Sequence, residues 1–380
     1  MRIRKVLYFF LISVLFLPFI QFVVPFSKSK ALKGWQQASE KPYLTSKSFF
    51  EGKFQEDAED YYKDKVGFQP DFVRVRNQTY FSLFHVCFHD KTLVGKQDCF
   101  YEKGYINNAL FGMYGSSSDD IKNKSEKFFL IQDTLEKLGK EVLFVSAPGK
   151  GTYYPEYIPS VMFHVEKRDP APHLEYQQHF DRLGIHYIDL DKYFRDLKKQ
   201  NIGPLYSKNG IHWNKYGCYY AIDTLSRYFN KKYPFMPEVV LDSIVYTDAI
   251  WENEADCFES ANLIQKPKKE VLPHPFFHYT QTESKRLKCI FVGDSYIWPL
   301  TLLNFNKDYF QDSQYWYYFK EVSYVDNTPH KDISEINVKQ ELLDADVIIL
   351  MFTNATTFDF DKGFTDEVFE LFELNKERKN

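Results

Sequence analysis

Four short apolar runs, separated by stretches of helical periodicity, constrain the fold of this chain more than any other feature. The apolar runs lie at residues 142–145, 186–190, 288–292 and 347–352. The helical patterns between and around them lie at residues 118–138, 174–183 and 215–229. Apolar strands that alternate with helices are typical of a parallel sheet covered on both faces. The sequence therefore predicts an α/β fold with a mainly parallel sheet.

Composition excludes several classes of protein. The 380 residues carry 48 Lys and Arg against 52 Asp and Glu, a formal net charge of −4, which argues against a nucleic-acid partner because such proteins need a basic face. A mean hydropathy of −0.45 excludes a polytopic membrane protein. A hydrophobic share of 44% excludes a disordered chain.

The first residues form a separate segment. Residues 6–24 are apolar at all but three positions and follow three cations near the N-terminus. This length suffices to cross a bilayer, so we predict an uncleaved signal anchor over residues 1–26, with a cleaved signal peptide and a buried helix as alternatives. We expect a single-pass protein of the cell inner membrane whose body faces the periplasm or the cell exterior.

The remaining chain divides into a linker and one large domain. A polar linker is predicted at 27–47, and a domain at 48–380 that begins with helices at 50–66 and 71–84. Residues of about 235–285 are rich in Pro, His, Glu and Phe and show no clear period. We interpret them as an insertion.

Five cysteines leave the redox state open. Because no Cys-x-x-Cys pair occurs, a zinc or thioredoxin-type site is not expected, and we predict neither a metal nor a cofactor. Buried free thiols are the favoured interpretation. A Cys87–Cys99 disulfide is the alternative if the compartment is oxidising.

Polar residues follow the apolar runs at the strand ends, where ligands bind in α/β sheets. Ser295, in Gly-Asp-Ser after the third run, is a candidate nucleophile whose backbone N–H points at a developing oxyanion; an ordinary helix N-cap is the alternative. His212 is the candidate base, packed by Trp213. Asn354, after the last run, is a candidate oxyanion donor, although a turn role is also open.

Two further residues are candidate substrate ligands. Lys150 follows the first run and is a candidate to bind an acidic sugar or support the oxyanion, unless it is a solvated lysine. Tyr153 belongs to a tyrosine cluster that either stacks on sugar rings or plugs the core.

Taken together, the Gly-Asp-Ser and His-Trp motifs resemble those of the SGNH hydrolase superfamily, in a permuted order with the histidine block first. That order resembles the alginate O-acetyltransferase (AlgX/AlgJ-like) family. The stretches 50–83, 94–106 and 147–159, the last including Tyr-Pro-Glu-Tyr-Ile-Pro, are similar to further motifs of that family. The resemblance implies a three-layer α/β/α sandwich preceded by one transmembrane helix.

One position departs from the family pattern. The acid that usually stands two residues before the histidine is Gly210 here, and the residue three before is Asn209. Asn209 is therefore the candidate that orients His212, as asparagine does in Cys-His-Asn enzymes. A carboxylate from elsewhere in the chain, or a backbone carbonyl, is the alternative.

The resemblance implies an extracytoplasmic O-acetyltransferase. Ser295 would carry the acetyl group and His212 would act as base toward a hydroxyl of a cell-surface polysaccharide. A membrane-bound O-acyltransferase would be the partner that supplies acetyl groups. A carbohydrate acetylesterase and a catalytically weak polysaccharide-binding or scaffold protein are the alternatives.

Overall fold

The computed structural model describes residues 2–34, 39–88, 91–281, 285–325 and 330–374. Parts of the predicted linker (35–38) and of the end of the predicted domain (375–380) lie outside the described residues. The backbone forms two compact units. One comprises residues 1–92 and 258–267, and the other comprises residues 93–257 and 268–380.

The first unit is helical. Its helices are α1 (Arg2–Val23), α2 (Ser46–Phe50), α3 (Lys53–Lys65) and α4 (Gln69–Phe84). The single helix predicted over 50–66 is divided at Gly52, which takes a left-handed conformation (φ 81°) that glycine adopts at little cost. Helix α1 is the one segment of the described residues long and apolar enough to cross a membrane, over Ile3–Val23, and it is almost wholly exposed.

The second unit alternates strands and helices. Its helices are α5 (Lys103–Phe111), α6 (Ser118–Lys137), α7 (Lys150–Tyr153), α8 (Pro172–Leu183), α9 (Leu190–Lys199), α10 (Lys215–Lys232), α11 (Asp256–Ser260, which begins here and ends in the first unit), α12 (Trp298–Leu302), α13 (Val338–Asp344) and α14 (Phe364–Leu371). The strands are β1 (Thr92–Val94, whose first residue belongs to the first unit), β2 (Phe100–Glu102), β3 (Glu141–Ala147), β4 (Tyr187–Asp189), β5 (Val239–Thr247), β6 (Leu272–Tyr279), β7 (Lys288–Gly293), β8 (Gln311–Tyr317), β9 (Glu321–Tyr324), β10 (Lys331–Asp332) and β11 (Val347–Thr353).

Seven strands form the central sheet in the order β10-β9-β8-β7-β11-β3-β4. The pairs β8/β7, β7/β11, β11/β3 and β3/β4 are parallel, and the two pairs at the β10 end are antiparallel. All four predicted apolar runs are strands of this sheet. The predicted mainly parallel sheet is confirmed.

Both faces of the sheet are covered, because successive side chains of a strand point to opposite faces. On one face Leu143 and Phe291 pack with residues of α9, α10 and α12. On the other, Phe144 and Val292 pack with residues of α6, α8, α13 and α14. Each central strand thus contributes side chains to both cores, and the sheet lies between two layers of helices, as predicted.

Two hairpins were not predicted. Strands β5 and β6 pair antiparallel within the predicted insertion of 235–285. Their pattern is weak because most β5 side chains are solvent-exposed, so no hydrophobic alternation marks them. Strands β8 and β9 form the second hairpin at the sheet edge.

Four of the cysteines, Cys99, Cys218, Cys257 and Cys289, are buried, and Cys87 is partly exposed. The burial of these four agrees with the interpretation of buried thiols, and the Cys87–Cys99 disulfide stays the alternative.

Gly293 permits the close pairing of β7 with β11. A Cβ atom built there would lie 2.1 Å from the backbone oxygen of Met351. We therefore expect Gly293→Ala to destabilise the protein by about 1–3 kcal/mol through overpacking. Thermal unfolding of the full-length protein in detergent measures the effect. The matched control is Gly104→Ala, where the nearest atom to the added Cβ is 4.0 Å away; equal stability of the two variants would contradict the expectation.

Candidate active site

Ser295 stands directly beyond the carboxyl end of β7. The strand ends at Gly293, Asp294 follows, and Ser295 begins a 3₁₀ turn that extends to Ile297. The first N–H groups of a helical turn have no acceptor within the turn. The Ser295 N–H is therefore placed where it can donate to an oxyanion that forms on a group bonded to Ser295 Oγ.

The carboxylate of Asp294 fixes this turn against β11. Its Oδ2 accepts hydrogen bonds from Thr353 N (2.8 Å), Thr353 Oγ1 (2.9 Å) and Thr356 Oγ1 (2.7 Å). Its Oδ1 accepts from Tyr296 N at 3.0 Å. Asp294 is fully buried, so these four donors take the place of water around its charge.

His212 contacts Ser295 from the loop before α10. Its Nε2 lies 2.9 Å from Ser295 Oγ. Its Nδ1 lies 2.6 Å from Oδ2 of Asp256. Because the carboxylate only accepts hydrogen bonds, Nδ1 carries the proton in the neutral ring, and Nε2 is the acceptor for the serine hydroxyl. This is the nucleophile, base and orienting acid arrangement of a catalytic triad.

Asp256 is the candidate residue of this site that the sequence analysis did not name. It begins α11, within the predicted insertion, and lies 44 positions after His212. Its Oδ1 accepts from the backbone N–H groups of Ile211 (2.7 Å) and Cys257 (2.7 Å), while Oδ2 faces the imidazole. The alternative of a carboxylate from elsewhere in the chain is therefore the arrangement found.

Gly210 is the signal that points to this arrangement. A Cβ atom built on Gly210 would lie 2.7 Å from the backbone oxygen of Asn253 and 3.1 Å from that of Glu254. The loop that carries Asp256 occupies the space where the side chain of the usual family acid would begin. The absence of a side chain at Gly210 therefore leaves room for the loop that carries Asp256, and only the fold brings these two segments together.

Glu254 holds this loop in place. It is 2% exposed, and its Oε2 accepts from Trp251 N (2.9 Å) and lies 3.3 Å from Nε2 of His274 on β6. Its Oε1 accepts from Lys215 N, at the start of α10, at 3.2 Å. The carboxylate therefore joins the Asp256 loop to the helix that follows His212, where a negative charge is favourable.

The environment raises the pKa of His212 above its ordinary value near 6.5. Burial alone would lower this pKa, but the charge of Asp256 and its hydrogen bond outweigh burial, with a further contribution from Asp294. The imidazolium is therefore stabilised, which suits a base that must hold the serine proton during the reaction.

Trp213 supports the base indirectly. It is fully buried, and its ring centroid lies 5.3 Å from that of Tyr296 and 5.9 Å from that of Phe194. The Tyr296 ring in turn lies 4.9 Å from the His212 ring, and its hydroxyl donates to Ile211 O at 2.9 Å. The expected packing of Trp213 on the imidazole is therefore indirect: Trp213 packs on Tyr296, and Tyr296 packs on His212.

Asn209 does not orient His212 in this structure. Its Nδ2 donates to Lys268 O at 3.0 Å and lies 3.4 Å from Glu270 Oε2. Its side chain is thus engaged with the irregular segment before β6, and Asp256 occupies the position beside Nδ1 of His212.

Lys150 is a structural residue rather than a substrate ligand. Its Nζ donates to the carbonyls of Phe100 (2.6 Å), Lys208 (2.8 Å) and Gly210 (2.7 Å), which uses all three ammonium protons. The side chain is 3% exposed. It braces the loop that leads to His212, which corrects the expectation of an acidic-sugar or oxyanion role.

Asn354 and Tyr153 are also engaged elsewhere. Asn354 Nδ2 donates to Thr152 Oγ1 (2.8 Å) and to Asp191 Oδ1 (2.9 Å), so its two amide protons do not point at the Ser295 site. Tyr153 is 2% exposed and its hydroxyl donates to Gly203 O at 3.2 Å. Of the two interpretations of Tyr153, the structure agrees with the one in which its ring fills space in the protein core.

Residues 103–288 match the family model described as the SGNH hydrolase-like domain of the acetyltransferase AlgX. The resemblance to the AlgX/AlgJ-like SGNH domain that the sequence motifs indicated is confirmed over these residues, which make up just under half of the chain. The match includes His212 and Asp256 and ends before Ser295. The comparison with curated proteins found no match.

Solved structures that match this chain include three bacterial proteins. The O-acetyltransferase domain of Pseudomonas putida AlgJ is 12% identical, with a TM-score of 0.45 over 73% of this chain and 98% of that one. Pseudomonas aeruginosa AlgX is 12% identical, with a TM-score of 0.46 over 72% and 67%. Bacillus cereus PatB1 is 10% identical, with a TM-score of 0.41 over 66% and 93%. At these identities no residue role carries over from these proteins.

We expect Asp256→Asn to slow covalent labelling of Ser295 by a fluorophosphonate about 10³-fold, because the amide neither stabilises the imidazolium nor fixes the tautomer. Neutral His212 is the reactive form, so labelling falls as pH drops through its pKa. Loss of the Asp256 charge lowers that pKa, and the acid limb moves to lower pH. Labelling rates across pH measure both effects. Asp242→Asn, at the exposed Asp242–His278 pair on β5 and β6, is the control; identical profiles for the two variants would exclude Asp256 from the site.

We expect Gly210→Ala to reduce the labelling rate about 10²-fold, since a displacement of about 1 Å suffices for a loss of this size. The added methyl group meets the Asn253 carbonyl and displaces the loop that carries Asp256. The acid limb of the labelling profile should move to lower pH, as for loss of Asp256. Gly104→Ala provides the control, and wild-type labelling by Gly210→Ala would show that the loop tolerates the side chain.

Proposed function

We propose that this protein is an O-acetyltransferase that carries the acetyl group on Ser295 and delivers it to a hydroxyl of a polysaccharide. The observation that carries the proposal is the hydrogen-bonded series Ser295 Oγ, His212 Nε2 and Asp256, with distances of 2.9 and 2.6 Å. The family match supports acetyl transfer as the chemistry, because the family description names an acetyltransferase.

In the first half-reaction Ser295 Oγ attacks the carbonyl carbon of an acetyl ester. The serine proton passes to His212 Nε2, and the charge on the carbonyl oxygen is stabilised by the Ser295 N–H. The tetrahedral intermediate collapses when the ester oxygen leaves with the proton from His212. The product is an acetyl ester on Ser295.

In the second half-reaction a sugar hydroxyl takes the place of the leaving group. His212 removes its proton, the sugar oxygen attacks the acetyl carbon, and Ser295 leaves with the proton returned by His212. Asp256 stabilises the imidazolium in both halves and does not itself take a proton. The enzyme returns to its initial state, with the acetyl group on the sugar.

Hydrolysis is the second candidate function. Water attacks the same acetyl-enzyme by the same route, and Ser295 itself is partly exposed to solvent. The third alternative, a non-catalytic binding protein, depended on the missing acid beside His212. Asp256 removes that premise.

We propose that helix α1 anchors the protein in the inner membrane, with the body in the periplasm or outside the cell. The support is the length and apolar character of Ile3–Val23, together with its exposure. There the domain would receive acetyl groups from a membrane-bound O-acyltransferase, the partner that the family resemblance implies.

Intact-mass spectrometry of the full-length protein with 4-nitrophenyl acetate tests the proposal. We expect a covalent acetyl adduct that is absent in Ser295→Ala, because the nucleophile is removed. In His212→Ala the adduct should form about 10³-fold more slowly, because general base catalysis is lost. Ser243→Ala, an exposed serine on β5, should behave as wild type.

The fate of the adduct decides between transferase and esterase. Acetylated sugar in the presence of an oligosaccharide supports transfer, whereas free acetate alone supports the esterase. Absence of both an adduct and acetate release in folded wild-type protein would contradict both enzymatic functions.

A further inference from the structure

A second cavity lies at the same edge of the sheet as Ser295. It has a volume of about 420 Å³, in the range of small-molecule sites, and is lined in part by Thr152, His173, Asp191 and Arg195. Thr152 follows β3, and Asp191 and Arg195 lie on α9, directly after β4. The cavity therefore sits at the carboxyl ends of β3 and β4, where α/β sheets bind ligands.

His173 is the unusual residue of this cavity. It is 5% exposed, and its Nδ1 has no hydrogen-bond partner among the described residues. Burial lowers the pKa of His173 to about 4, so the ring is neutral at physiological pH. A neutral imidazole has one donor and one acceptor nitrogen. Nδ1 is closed off from solvent, so the other ring nitrogen, Nε2, is the one that can hydrogen-bond a ligand in the cavity.

The charged residues of the cavity balance each other. Arg195 pairs with Asp191 at 3.0 Å, and Arg168 pairs with Glu175 at 2.6 Å. Lys167 and Asp169, which also line the cavity, have opposite charges. The wall therefore offers donors and acceptors without a dominant charge, which suits a neutral polyhydroxylated ligand better than an ion.

A hydrogen-bond network continues from the cavity to the strand ends. Asp191 Oδ1 accepts from Thr152 Oγ1 (2.6 Å) and from Asn354 Nδ2 (2.9 Å), and Asn354 directly follows β11. Strand β11 lies between β3 and β7, the strand that leads to Ser295. With neighbouring strands about 4.8 Å apart, the cavity lies on the order of 10–15 Å from the nucleophile along this edge.

We propose that this cavity binds one neutral sugar unit of the acceptor glycan, a few units away from the sugar that receives the acetyl group. The proposal rests on the transfer function proposed above, since it assigns the cavity to the acceptor of that reaction. Hydroxyl groups of the sugar would hydrogen-bond His173 and the free guanidinium nitrogen of Arg195. Leu110 and Leu174 would contact the apolar faces of the ring.

Two variants test the cavity separately from the chemistry. Leu174→Trp fills the cavity from α8, where Leu174 is 37% exposed, so the core is left intact. His173→Ala removes the imidazole and provides a second test if the tryptophan variant does not fold. Leu138→Trp, at the exposed end of α6, is the matched control for an added surface indole.

Binding is measured first, in the Ser295→Ala background, so that the result does not depend on acetyl transfer. Calorimetry and saturation-transfer NMR of the full-length protein in detergent use cello-, manno-, xylo- and chitotetraose as probes. We expect at least one tetraose to bind, with an affinity at least tenfold lower in Leu174→Trp and in His173→Ala and unchanged in Leu138→Trp. Failure of all four probes to bind, or binding unaffected by both cavity variants, would overturn the proposal.

Acetyl-adduct formation on Ser295 separates this proposal from the proposed function. With Ser295 present, both cavity variants should form the adduct from 4-nitrophenyl acetate at the wild-type rate, because that step needs no glycan. Transfer to the tetraose that binds should show a KM raised at least tenfold, with kcat little changed. If the tetraose binds but no adduct forms, the result counts against the catalytic function alone. If the adduct forms normally and neither variant affects transfer to the tetraose, the result counts against the cavity.

Discussion

The hydrogen bonds around Asp294 are the interaction on which the rest of the site depends. A carboxylate buried without donors would be costly in free energy, and here four donors from two segments satisfy it. Two of them belong to Thr353 at the end of β11, the third is the hydroxyl of Thr356 just beyond that strand, and the fourth is the N–H of Tyr296. The carboxylate therefore holds the nucleophile turn against the neighbouring strand, and through Tyr296 this turn also contacts His212.

The acid of the triad shows how a site can keep its geometry while its residues come from different parts of the chain. In the family pattern the acid precedes the histidine by two positions. Here Asp256 approaches from a loop that packs over Gly210, and Glu254 fixes that loop to the start of α10. The requirement is a carboxylate beside Nδ1, and any segment that delivers one there meets it.

The buried polar residues around the site divide into two groups. Lys150 and Asn209 hold the loop that leads to His212 through backbone carbonyls, although their chemistry alone suggested roles toward substrate. Asn354 belongs instead to the network of Asp191 and the second cavity. A side chain with donors to offer is a candidate ligand in a sequence, and only its partners in the fold show whether those donors are already used.

By itself the sequence determined the central sheet, because strands covered on both faces need runs of apolar residues such as 142–145 and 347–352, and these runs are visible without a fold. It also determined Ser295 and His212 as candidates, because each stands in a short motif at a strand end or before a helix. The β5–β6 hairpin left no comparable trace, since its strands are partly solvated. Only the tertiary structure decided the acid and the second cavity. Asp256 lies 44 positions from His212, and His173 is a candidate ligand-binding residue because it is buried and lines the same cavity as Asp191. Local sequence spacing shows neither relation.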